Sequence, residues 1–259
     1  MTSVEQGLRA VRTFPAVAVD DELLEAAGRC SVCGVAGTFP RSGRPLREDF
    51  GCQTCGASLR YRCQGHALVE LYGHVGASVK ELVEGHHLDE LAIYEPGIVG
   101  PFRRFFRGVD GYVISGFWDD CAPGDERDGV RCEDLHRLSF DDESFDLVIS
   151  SDIFEHVRDP WRAFVEVHRV LRPGGSHVFT VPLTWPLPAT SITRVDYSTG
   201  HDVHLAPPVY HGSPTDPAGS LVCTDFGMDL PDALYRVGFH TVVHHGFRSS
   251  VTFVSTRRT

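Results

Sequence analysis

At 259 residues and a net charge of -11, the chain has room for one main domain plus a small module. The acidic balance argues against nucleic acid as the main partner, because phosphate binding calls for clustered Lys and Arg. No apolar run reaches membrane-spanning length and no signal peptide opens the sequence, so no membrane contact and a cytoplasmic location are expected. In chain order, Asp20 to Ala27 reads as a short helix. Cys30-Ser-Val-Cys33 and Cys52-Gln-Thr-Cys55 follow, with eighteen residues between the pairs. That is zinc-ribbon spacing, and Gly34 and Gly56 let the backbone turn tightly behind each pair. Four thiolates suit a structural Zn2+ with no open position, and Cys63 is a spare candidate ligand. The boundaries read as an N-terminal segment and ribbon over 1–58 and a second domain over 59–259. A helical stretch is expected from Ser58 to about Glu84.

The second domain alternates strands and helices. Leu91–Glu95, Gly111–Ser115 and Val130–Cys132 read as strands, and Asp141–Glu143 as a solvated turn. Phe145–Ser151 is an apolar run suited to a strand buried on both faces of a parallel sheet. Asp159 and Pro160 open a helix as N-cap and first residue. Trp161, Phe164, Val165, His168 and Leu171 are expected to form its core-facing stripe. Pro173-Gly174-Gly175 stops it and His177–Val181 is the next strand. Strand, helix, strand is the unit of a doubly wound α/β sheet.

Three pieces within this stretch carry a resemblance. They are Phe145-Asp146-Leu147-Val148, then Glu155-His156-Val157 with Asp159-Pro160, then Arg169-Val170-Leu171-Arg172-Pro173-Gly174-Gly175. In that order they resemble the second half of the class I S-adenosylmethionine-dependent methyltransferase fold. A ribbon, a Ser58-x-x-x-Arg62 helix and such a domain together resemble a bacterial group found among biosynthetic genes. The resemblance implies a Rossmann-like sheet, mostly parallel with an antiparallel last strand, and S-adenosylmethionine as cofactor. By the same resemblance Glu95 and Gly97 begin the cofactor loop, with Val99 at its second glycine position and Gly100 one place early for the third. A valine there is expected to crowd the pocket. Gly116 stands where the family places a ribose-binding acid after Ser115, so Asp119 or Asp120 would take that role. Asp134, beside Leu135, would accept the adenine amino hydrogen, and Ser151 and Asp152 would close the cofactor edge. Arg60 and Arg62 face either the pocket or solvent.

Seven prolines from Pro182 to Pro217 exclude helix through most of 184–224, which reads as a substrate loop. His211 in this loop is the first candidate for a general base, with His156 and His201 behind it. His201-Asp202-Val203-His204 also has metal spacing, without an evident third ligand. The last helix is expected from Thr224 to Val237, ended by Gly238 and followed by strands His240–Phe247 and Val251–Ser255. The implied function is methyl transfer to an oxygen or nitrogen of a small-molecule substrate of natural-product or sugar type. The alternatives are a non-methylating biosynthetic step on the same fold, an RNA methyltransferase, and a ribbon adaptor with a degenerate enzyme domain. Pattern alone does not decide the oligomeric state.

Overall fold

The structure, a computed structural model, describes residues 12–13, 25–213, 216–245 and 250–259. At its centre run five parallel strands: β1 (Ile93–Pro96), β2 (Tyr112–Gly116), β3 (Val130–Cys132), β4 (Phe145–Ser151) and β5 (Leu171–Thr180). An antiparallel pair, β6 (Phe239–His245) and β7 (Val251–Arg257), closes one side through β7 against β5. The order is β3-β2-β1-β4-β5-β7-β6. Arg12–Thr13 beside β6 and Glu126–Arg127 beside β3 bring the sheet to nine strands. The fold is the expected doubly wound, Rossmann-like α/β type with an antiparallel last strand. The chain reverses its direction of winding between β1 and β4, where such sheets leave a crevice at the strand carboxyl ends.

Neighbouring side chains on each strand enter opposite layers, as the pleat requires. Ile93, Leu147, Ile149, Val178 and Val254 join one buried cluster; Tyr94, Val148, Phe179 and Phe253 join the other. The first layer is covered by α1 (Leu59–Leu71), α2 (Val79–Glu84), α3 (Arg103–Phe106) and the ribbon, whose Val32, Phe39 and Phe50 are part of the same core. The second is covered by α4 (Pro160–Val170) and α5 (Leu230–Val237). Fully buried Gln64 pins α1 to the sheet. Its Nε2 donates to the carbonyls of Ser150 (2.9 Å) and Val178 (3.1 Å), and its Oε1 accepts from Ser151 Oγ at 2.6 Å.

Several expectations are corrected. Asp159 caps α4 by accepting from Arg162 N, but the buried face runs through Ala163, Phe164, Val167 and Val170, while Val165 is half exposed. The register that stacks Phe164 on Phe154 and packs it, tilted, against Phe179 turns Val165 outward. The helix anticipated at Asp20–Ala27 is overturned where it is described. Glu25–Arg29 is a strand paired with Ala36–Pro40, and 20–24 lies outside the described residues. Thr224–Asp225 pairs with Ile192–Thr193, so α5 begins only at Leu230. The helical stretch to Glu84 divides into α1 and α2. Cys121 and Cys132 form a disulfide tying the loop after β2 to the end of β3, a pairing that spacing does not announce.

His177 on β5 lies stacked on Phe179 with no exposed surface. Burial pushes its imidazole down to about 3. The folded value lies below the unfolded one of roughly 6.5, so the neutral ring's contribution is intact above that pH and is lost as pH falls from there toward 3. The loss is about 1.4 kcal/mol per pH unit. Urea unfolding between pH 7 and 4 is expected to show wild-type stability falling more steeply than that of His177→Phe, by about that slope.

Candidate functional site

Two clusters carry chemistry. The first is in the ribbon. Gly34 N donates to Cys30 O and Gly56 N to Cys52 O, both at 2.8 Å, which folds each cysteine pair into a tight knuckle. Both glycines hold positive φ, 79° and 76°. The Cys30 and Cys55 sulfurs lie 3.8 Å apart and those of Cys33 and Cys52 3.6 Å apart, and all four fall within 4.8 Å of one another. A tetrahedron of thiolates around an ion at about 2.3 Å has edges of about 3.8 Å, so the four sulfurs fit a single tetrahedral metal. Cys63 lies outside the group.

The second is a cleft of about 260 Å³ at the carboxyl ends of β1 to β4. Of the residues singled out for the cofactor, Gly97, Ser115, Asp134, Leu135 and Asp152 line it, and Glu95, Gly100, Asp119 and Ser151 do not. Glu95 turns away to accept from Tyr112, and a side chain at Gly100 would meet Glu95 Oε1 at 3.5 Å. Burial raises Glu95 to about 7 in that position. Ser151 is taken by Gln64. Asp119 is exposed and Asp120 is paired with Arg127 at 2.7 Å. A side chain at Gly116 would strike the outer edge of the Trp118 ring at 2.3 Å, so an acid at the end of β2 would require that ring to move.

The expected crowding by Val99 does not occur. Gly97 and Gly100 take φ of 127° and 143°, and the turn they make leaves Val99 58% exposed, outside the cleft. Ile98 lines the cleft instead, and its carbonyl accepts from Arg103 Nη1 at 2.5 Å. Across the cleft Phe117 is half exposed beside Leu135. Asp134 Oδ1 accepts from His136 N and pairs with His136 Nδ1. Burial alone would raise Asp134, but these donors outweigh it and hold the group below the usual carboxylate range.

Asp152 is held in the left-handed region at φ 54° by three partners. Arg47 grips both its oxygens, at 2.6 and 2.9 Å, Arg60 Nε lies 3.1 Å away, and Thr180 Oγ1 donates at 2.9 Å. Burial would raise Asp152, but Arg60 and Arg47 prevail and keep it low and ionised. Arg47 comes from the ribbon, on the turn Leu46–Glu48. That turn follows a loop which buried Asp49 ties by accepting from Ser42 and Gly43. The ribbon therefore reaches Asp152, at the edge of the cleft, through Arg47. Arg60 contacts Asp152 from behind the cleft lining, whereas Arg62 lies over the Phe39 ring inside the ribbon. Arg47 Nε and Arg60 Nη1 are buried without a hydrogen-bond partner among the described residues.

At the other end, His156 lines the cleft and Nδ1 of its ring lies 2.9 Å from the Leu221 carbonyl. His211 stands on a two-residue strand paired with Ser220–Leu221, and its ring meets His156 edge-on at 5.0 Å. Glu155 is buried beneath both, 3.5 Å from His156 Nε2 and 3.7 Å from His211 Nδ1. Its proximity raises His211. His201 and His204 are exposed and outside this group, and Asp202 between them is paired with Arg158, so the metal motif there does not assemble. Glu155 and Arg47 were not among the sequence candidates. Glu155 lies within the Glu155-His156-Val157 motif, while nothing near Arg47 marks it.

Residues 118–179 match the family model for a methyltransferase domain and are therefore the sequence of an enzyme domain. An uncharacterized 37.1 kDa protein in transposon TN4556 of Streptomyces fradiae is 38% identical over 69 residues, 25% of this chain and 20% of that protein. An uncharacterized methyltransferase of Mycobacterium sp. (strain KMS) is 51% identical over 43 residues, 17% of each chain. The chain thus spans about a fifth or less of the length of these relatives. Among solved structures, an S-adenosylmethionine dependent methyltransferase from Mesorhizobium loti is 24% identical, covering 71% of this chain and 99% of that one, with a TM-score of 0.43. Burkholderia thailandensis 1,6-didemethyltoxoflavin-N1-methyltransferase is 13% identical, covering 70% and 77%, with a TM-score of 0.40.

Proposed function

We propose that the chain transfers the methyl group of S-adenosylmethionine to a small molecule. The observation that carries this reading is an open cleft at the carboxyl ends of four parallel strands, lined by Gly97, Asp134 and Asp152, of which Asp134 and Asp152 fall in the stretch 118–179 that matches a methyltransferase domain. The nucleoside would rest between Ile98, Leu135 and Phe117, where a flat apolar ring gains most from stacking. Asp134, with Oδ1 occupied by His136, offers Oδ2 to the adenine amino group. The amino-acid tail carries a carboxylate, and Arg47 Nε and Arg60 Nη1, buried without partners among the described residues behind cleft-lining Asp152, would be its donors. The sulfonium is reactive without activation, so the protein's task is to align donor and acceptor and remove the acceptor's proton. The acceptor then lies toward Gly212, Ser213 and Ser220, next to His156 and His211. We assign zinc to the four ribbon cysteines, where it would hold the fold and take no part in the transfer.

Calorimetric titration with S-adenosylmethionine tests the reading, with micromolar binding expected. Gly97→Val is expected to weaken that binding at least a hundredfold. At φ 127° a valine is strained, and its Cβ would meet Ile153 Cδ1 at 3.4 Å where the cofactor tail must pass. Absence of binding by the wild type would remove the proposal.

A further inference from the structure

The Glu155–His156–His211 group is more than a base and its neighbours. Glu155 is 1% exposed, and neither carboxylate oxygen has a hydrogen-bond partner among the described residues. The imidazole nitrogens 3.5 and 3.7 Å away are beyond hydrogen-bond length. A buried carboxylate left this way is costly unless a proton or a cation neutralises it, and no Lys or Arg is paired with it among the described residues. The two histidines complete the requirement. One ligand atom from each of the three residues lies within 4.8 Å of the other two. His156 directs Nδ1 to the Leu221 carbonyl, which fixes the proton there and leaves the Nε2 lone pair facing Glu155. Metal-bound histidines are oriented in this way by a backbone acceptor behind the ring. The strand pair that supplies this carbonyl also carries His211, so one hairpin aims both rings.

We propose that Glu155, His156 and His211 form a binding site for a divalent transition-metal ion, with its open positions toward the cleft. Two imidazoles and one carboxylate make a borderline donor set suited to Mn2+, Fe2+, Co2+ or Zn2+, and three protein ligands leave room for exogenous oxygen. On the methyl-transfer reading, on which this part rests, that oxygen belongs to the acceptor. The acceptor is thus a hydroxyl compound, best one with a second oxygen adjacent. Its hydroxyl, bound to the ion, releases its proton to water at the cleft mouth. The oxygen lone pair then forms a bond to the methyl carbon as the carbon–sulfur bond breaks, and neutral S-adenosylhomocysteine leaves.

The test uses the full chain with ribbon zinc in place, dialysed against EDTA and titrated with Mn2+ under electron paramagnetic resonance. Thiolate sites disfavour Mn2+, so the ribbon does not compete. One Mn2+ per chain is expected for the wild type. Glu155→Gln and His211→Ala should each weaken it at least tenfold, while His204→Ala binds as the wild type does. Zinc retained per chain reports that each variant is folded, and half-exposed His211 serves if Glu155→Gln does not fold. A wild type that binds no Mn2+, or folded variants that bind it as tightly, overturn the site. S-adenosylmethionine titrated into the same samples separates the two claims. Cofactor binding without Mn2+ removes the metal alone, and Mn2+ without cofactor binding keeps the site while removing methyl transfer.

Discussion

Replacing Cys52 with serine is expected to empty the ribbon of zinc, unfold it, and weaken S-adenosylmethionine binding at least tenfold, although no cysteine of the ribbon touches the cleft. The ribbon is too small to bury a core of its own, and structural zinc supplies about 10–16 kcal/mol of apparent binding energy in modules of this kind. Without it the two knuckles lose their common anchor. The turn Leu46–Glu48 lies between the hairpin and the second knuckle, so Arg47 goes with them. Asp152 then loses the bidentate partner that holds both its oxygens at 2.6 and 2.9 Å. Zinc content, far-ultraviolet circular dichroism and calorimetry on one preparation check the chain of effects. Wild-type cofactor affinity in a zinc-free variant would show that the ribbon and the cleft are independent.

This linkage shows where local reading stops. Phe145–Ser151 coincides with β4, and the Asp159-Pro160 opening marks the start of α4, because apolar runs and caps are local signals. The buried face of α4 is not local. Ala163, Val167 and Val170 make a second apolar stripe interleaved with the one through Val165, and packing against Phe179 and Phe226 decides between them. Thr224–Asp225 resembles a helix opening until its partner strand, Ile192–Thr193, is in place. In the cleft, pattern pointed to Gly97, Asp134 and Asp152 but placed Val99 inside, because a glycine pattern says nothing of which way the loop turns. The reach of Arg47 across 105 residues to Asp152 leaves no trace in sequence, nor does burial of both Glu155 oxygens.

Arg60→Leu is the second variant with a large expected effect. Arg60 and Asp152 are both largely buried, with side chains 8% and 17% exposed. Removing one partner of such a pair strands the other's charge, which costs about 3–5 kcal/mol. Arg47 remains on Asp152, so the lower end, ~3 kcal/mol, is expected. Glu48 also loses the 2.6 Å contact it makes to Arg60 Nε. The pH dependence follows from Asp152, whose folded value the two arginines hold below its unfolded one. Its contribution is therefore present above the unfolded carboxylate value of about 4 and is lost as pH falls below it. The gap between wild type and Arg60→Leu in urea unfolding should accordingly be widest near pH 7 and narrow below pH 4. Adding Asp152→Asn to Arg60→Leu strands the charge of Arg47, whose side chain is 13% exposed and whose two contacts are both to Asp152, so the double variant should be less stable than the single one. It should not recover S-adenosylmethionine binding, because the donor meant for the cofactor's carboxylate is gone. Equal stability of the single and double variants at pH 7 would mean that the Arg47–Asp152 pair contributes nothing once Arg60 is gone. Restored cofactor binding in the double variant would take Arg60 out of the cofactor site.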